Sequence, residues 1–129
     1  MKLLIKNTTI VTVNDQDQVL EHADLAVSGK TIVGVGKAPL DFIPDRVIDG
    51  KGKLVMPGLI NAHTHLSMTL MRNYADDLPF SDWLFKKIKP LEDHLLAEDV
   101  RLGAKLGIAE MIRGGTTCFH DMYFHMDEV

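Results

Sequence analysis

Two histidines, His63 and His65, stand one residue apart at the end of the apolar run Leu59-Ile60-Asn61-Ala62. In a strand, residues i and i+2 share a face, so the two imidazoles converge on one side while Thr64 points to the other. Imidazole is a good ligand for zinc, iron or nickel, and two from one strand make half of a mononuclear site. The alternative is a pair that caps a strand end and bonds to backbone. The residues before the pair, Lys53 to Asn61, read as a strand, a break at Pro57-Gly58, and a second strand that delivers the histidines to its C-terminal end. In α/β barrels and open α/β sheets, sites are built at that end.

Two other metal chemistries fail on the residues. Deaminases that use His-x-Glu with Pro-Cys-x-x-Cys need at least two cysteines, and the chain has one, Cys118. A zincin helix needs His-Glu-x-x-His, which does not occur.

The elements that must position the pair follow from the patterning. Residues 2 to about 56 read as short strands, Leu3 to Ile5 and Ile10 to Val13 among them, separated by turn signals. Ser28-Gly29-Lys30 is a tight-hairpin sequence because glycine accepts positive φ without penalty. A second turn at Asp49-Gly50-Lys51-Gly52 separates Arg46-Val47-Ile48 from Leu54-Val55-Met56. A sheet of about 55 residues is hard pressed to bury enough apolar area alone. No chemistry is read in it, and His22 is assigned to the surface.

After the pair, Ser67 to Phe80 reads as a loop or short helix over the mouth of the site, with Met68 and Met71 as packing residues that also suit an apolar ligand. Ser81 to Glu92 reads as a short helix, capped by Ser81 and closed at Pro90. Residues 97–113 show the clearest helical period: Val100, Ala104, Ile108 and Met111 recur at steps of four and three. Gly103, Ala104 and Gly107 would let that helix lie close against a sheet. Thr116 to Tyr123 reads as a second buried strand, parallel to the first across a right-handed crossover. His120, Asp121 and His125 then fall near its C-terminal end.

Composition bounds what this machinery serves. The chain has 129 residues, 46% hydrophobic and 25% charged, ordinary values for a globular protein. Its net charge of -4 excludes the basic footprint of a nucleic-acid binder. No apolar run approaches the ~18 residues of a membrane helix, and the N-terminus lacks the features of a secretory signal. A single cysteine fits a reducing compartment, so a cytoplasmic location is expected.

Pro57 to Leu66, with its flanks, resembles the amidohydrolase superfamily of metal-dependent hydrolases, most nearly the branch of 5-methylthioadenosine and S-adenosylhomocysteine deaminases, which is similar also to the triazine chlorohydrolases. The resemblance covers essentially all of the chain but only the first part of such an enzyme. It implies an α/β fold: residues 1–56 as a portion of a β-sandwich completed by far C-terminal segments, and residues 57–129 as the first β/α unit of a (β/α)8 barrel that about 250 residues are needed to close. It implies that His63 and His65 bind zinc, or another divalent transition metal such as iron or manganese, with further ligands on later strands. Asp121 is then structural, and His120 and His125 sit near the rim.

Asp82-Trp83-Leu84 and Pro90-Leu91-Glu92 match an element of the adenosine-type deaminases. By the resemblance, Glu92 accepts hydrogen bonds from both ribose hydroxyls and Trp83 lines the nucleoside pocket; from spacing alone, Glu92 is as readily an exposed charge and Trp83 a core residue. The implied activity is hydrolytic deamination by attack of metal-bound hydroxide on the purine carbon bearing the amino group, with the proton-shuttling residues downstream of Val129. The expected partners are a small-molecule nucleoside and the remainder of the barrel, in cis or in trans, in a homo-oligomer with no nucleic acid or membrane. Alone, the 129-residue chain is expected to be inactive. The alternatives are a related amidohydrolase acting on a triazine, guanine or cytosine-like ring, and a non-catalytic interaction module that pairs through its open sheet edges.

Overall fold

A computed structural model describes residues 1–129, which divide into two units, Met1–Pro57 and Gly58–Val129. The first is a five-stranded sheet: β1 (Lys2–Val11), β2 (Val19–Ser28), β3 (Thr31–Gly36), β4 (Arg46–Asp49) and β5 (Leu54–Val55). The order is β3-β2-β1-β4, with β5 also beside β1; β1 runs antiparallel to β2 and parallel to β4 and β5. Ile10, Ala23 and Leu25 form its core, flanked by Ile5, Leu20, Val27 and Val55. The hairpin turn at Gly29-Lys30 is present, with Gly29 at φ +62.

The two short strands expected near the N-terminus are one continuous strand. It is interrupted by a bulge rather than a turn: the register shifts between Ile5 and Thr8, and Asn7 takes φ 55. Polar pairing holds that irregularity. The Asn7 amide N–H donates to Asp24 Oδ1 at 3.0 Å, and the His22 Nδ1–H donates to Asn7 Oδ1, also at 3.0 Å. His22 is thereby part of the bulge.

The second unit contains β6 (Leu59–Thr64), a 3-10 helix (Leu66–Met71), α1 (Phe80–Asp82), a π-helix (Trp83–Ile88), α2 (Lys89–Glu92), α3 (Ala97–Gly114), β7 (Thr116–Asp121) and a final 3-10 turn (Met126–Glu128). β6 and β7 pair in parallel, as expected for a β/α unit. Four local expectations need correction. The helical segment over 81–92 is not capped by Ser81: it begins at Phe80 with Pro79 in the cap position and no side-chain cap. Nor does it end at Pro90. The turn switches to a π register in which the Lys89 amide N–H bonds to Leu84 O, so Pro90, which has no N–H to offer, enters at the start of a fresh α-turn.

The strand expected to be buried at 116–123 stops at Asp121 and is exposed or half-buried along its length. Its only partner is β6, so one edge is open. α3 has the expected extent within a residue, but its buried stripe is Val100, Gly103, Ala104 and Gly107 rather than one running through Ile108 and Met111. The small residues do permit close packing, although the partner is the 3-10 helix that follows His65. A Cβ placed on Gly103 would lie 2.5 Å from the Ser67 carbonyl oxygen, and one on Gly107 would lie 2.5 Å from Leu66 Cδ1.

Two hydrogen bonds fasten the same seam. Ser67 Oγ donates to Val100 O and Thr69 Oγ1 to Gly103 O, both at 2.8 Å. Replacing Gly103 by alanine should therefore destabilise the protein by about 1–3 kcal/mol, because overpacking against backbone outweighs the ~1 kcal/mol that alanine gains over glycine in a helix. A urea unfolding midpoint that drops, with unchanged slope, is the expected result.

Candidate active site

β6 ends at Thr64, and His65 stands in the cap position of the 3-10 helix. The rings of His63 and His65 lie side by side with centroids 5.1 Å apart and planes at 78°. The His65 ring is oriented by backbone. Its Nδ1 is 2.7 Å from the Met122 carbonyl oxygen, an acceptor only, so Nδ1 carries the proton and Nε2 is the nitrogen left with a free lone pair.

The backbone around it is pinned from both sides. The Met122 amide N–H donates to Thr64 O at 3.3 Å, and the Leu66 N–H donates to Asp121 Oδ1 at 2.9 Å. Asp121 thus joins the end of β7 to the residue directly after His65. Its second oxygen, Oδ2, is buried without a hydrogen-bond partner. His63 is more exposed, with its backbone N–H on Asn61 Oδ1 at 3.2 Å.

His65 is also one wall of a half-open cavity of about 410 Å³, which it shares with Met68, Phe80, Trp83, Leu84, Ile88, Glu92, Met122, Tyr123 and Phe124. Most of that lining is apolar, and the polar groups are few: His65, Glu92 and Tyr123. This is the composition of a small-molecule site. Trp83 reaches it from the first residue of the π-helix, with Phe80 6.0 Å away between ring centroids. Glu92 reaches it from the last residue of α2. The Tyr123 hydroxyl donates to Glu92 Oε1 at 2.9 Å. Burial, and then the bond to Glu92, pushes the phenol pKa well up, so Tyr123 stays a proton donor through the neutral range.

His120 lines a separate concavity of about 170 Å³ with His63 and His65. His125 lines another, of about 340 Å³, together with Glu92 and Asp93. No group of three or more His, Cys, Asp or Glu side chains is arranged to hold a metal ion. The donor set within this chain is the pair alone. Of the cavity's residues, Phe80, Ile88, Met122, Tyr123 and Phe124 were not singled out from sequence. The usable signal was position, since three of them directly follow the C-terminal end of a barrel-type strand.

The amidohydrolase family model matches residues 54–129. Over its full length the chain is 53% identical to the 5-methylthioadenosine/S-adenosylhomocysteine deaminase of Acetivibrio thermocellus, of which it covers 31%, and 52% identical to the deaminase of the same name from Thermoanaerobacter pseudethanolicus, of which it covers 30%. Among solved structures it superposes on 30% of an adenosine deaminase from Xanthomonas campestris with bound zinc, over 98% of its own length, at 43% identity and a TM-score of 0.88. It matches 32% of the zinc complex of atrazine chlorohydrolase from Arthrobacter aurescens, again over 98% of its own length, at 29% identity and a TM-score of 0.86. The chain thus spans about a third of the proteins it matches. With its histidine-bearing β/α unit wholly inside the matched residues, the chain belongs to the amidohydrolase family.

Proposed function

We propose that this segment forms the first metal ligands and the sugar-recognising wall of a hydrolase that deaminates adenosine-type nucleosides, 5-methylthioadenosine and S-adenosylhomocysteine foremost. The observation that carries the proposal is the cavity itself. One imidazole of the pair, an indole and a carboxylate, drawn from three separate elements, line a single apolar concavity. The names of the curated relatives supply the substrate class.

The residues present fit a divalent metal, zinc in the two related structures named above. His63 and His65 would hold it, His65 through the Nε2 that its bond to Met122 leaves free. When bound, such an ion acts as a Lewis acid and lowers the pKa of water toward neutrality. The side chains here do the binding. Trp83, Phe80 and Met68 take the purine away from water, and Glu92, acceptor-only when ionised, receives the ribose hydroxyls. The remaining ligands and the groups that move protons come from the rest of the barrel, so residues 1–129 by themselves turn over nothing. The five-stranded unit is read as a portion of a β-sandwich; Ile32, Val33 and Val35 on its edge strand β3 remain exposed, as expected of a sheet that another layer covers.

The test is a substrate ranking with purified full-length protein and zinc. Ammonia should be released from 5-methylthioadenosine, S-adenosylhomocysteine and adenosine in clear preference to guanine, cytosine or a triazine. Faster turnover of a free ring would transfer the site to the ring-hydrolysing branch. Association of residues 1–129 with the rest of the barrel and no turnover of any of them would favour a non-catalytic module.

A further inference from the structure

Glu92 ends a four-residue helix, and a glutamate there has three side-chain torsions to fix before it can serve a ligand. One group in the structure fixes it: the Tyr123 hydroxyl, 31 residues away in sequence and 2.9 Å from Oε1. An ionised carboxylate only accepts, so the shared proton belongs to the phenol. Both side chains line the cavity that holds Trp83 and His65.

We propose that Tyr123 is a positioning residue for nucleoside specificity: it occupies Glu92 Oε1 and so presents Oε2 to the vicinal hydroxyls of a ribose bound between Trp83 and His65. The inference rests on the nucleoside reading and adds a residue to it. A carboxylate with one oxygen already engaged has a single preferred face for a ligand, and its rotamer entropy is lost on folding rather than on binding. That pre-organisation favours the ligand that matches the remaining face. A purine without vicinal hydroxyls gains nothing from it. The raised phenol pKa keeps the donor in place across neutral pH.

The experiment compares adenosine with 2′,3′-dideoxyadenosine in the zinc-loaded full-length protein and in its Tyr123→Phe, Glu92→Gln and doubly substituted forms, with urea unfolding of each. Tyr123→Phe keeps the ring and its packing. It should lower the ratio of kcat/KM for adenosine over the dideoxy analogue about five- to tenfold, through KM, the net worth of one ordinary hydrogen bond. In the Glu92→Gln background, where the acceptor has lost its charge, it should cost clearly less of that ratio than it does beside Glu92. An equal loss on both substrates, or an additive loss in the double variant, overturns the role assigned to Tyr123. If Glu92→Gln leaves the ratio unchanged, the ribose reading itself fails, and the Tyr123 proposal falls with it.

Discussion

Replacing His65 by alanine in the full-length protein should lower kcat/KM by about 10³-fold or more, with loss of bound metal, while the fold survives. The loss of activity follows from what the metal supplies. Several kcal/mol of transition-state charge stabilisation disappear with the ion, and about 4 kcal/mol corresponds to that factor. The survival of the fold follows from how little His65 holds together. Its one ring hydrogen bond, to Met122 O, is worth about 0.5–1.5 kcal/mol net, and the adjoining backbone stays fastened through Leu66 N–H to Asp121 and Met122 N–H to Thr64. His63→Ala should be equally damaging to metal content and gentler still on stability, because its ring is exposed. Metal per polypeptide by elemental analysis, read beside a denaturant melt, separates a lost ligand from a lost fold. Full metal content in both variants would remove the pair from the site.

Glu92→Gln should be the most selective change in the cavity. Glutamine keeps the volume and still offers an oxygen to Tyr123 O–H, so the cavity wall is retained. What it loses is a charged acceptor. The expected loss is roughly ten- to hundredfold in kcat/KM for nucleosides, one or two charge-assisted hydrogen bonds, with free bases little affected. Steady-state kinetics on a nucleoside and its free base measures this directly; equal losses on both would take the sugar contact away from Glu92.

The closeness of the histidine pair was legible from the period of two in extended chain, and the rings do lie 5.1 Å apart, although β6 ends at Thr64 and His65 stands one residue beyond it, in the cap of the 3-10 helix. The β/α order and the parallel pairing were legible for a similar reason, since a helix between two apolar runs leaves few topologies. What sequence could not supply was anything fixed by a partner remote in the chain. Tyr123 carries no local mark of its bond to Glu92, and Asp121 none of its grip on the residue after His65.

The misreadings have physical causes as well. Pro90 looked like a stop because an α register would have needed its N–H, and the π-turn before it removes that need. β7 looked buried because its residue types are those of an interior strand. Within this chain it has one pairing strand, β6, and a limited contact with α3, which leaves much of it open. In α3 the inward face runs through Val100, Gly103, Ala104 and Gly107 rather than Ile108 and Met111, because the 3-10 helix after His65 comes too close for a side chain at either glycine.

The central claim is that a metal held at His63 and His65 serves a nucleoside cavity walled by Trp83 and Glu92. The most direct measurement is ammonia release from 5-methylthioadenosine by the purified full-length protein, followed before chelation, after it, and after zinc is returned. Turnover that disappears with the metal and returns with zinc is the expected result. Undiminished turnover in fully metal-free protein, or none from any adenosine-type nucleoside with zinc bound, would contradict it.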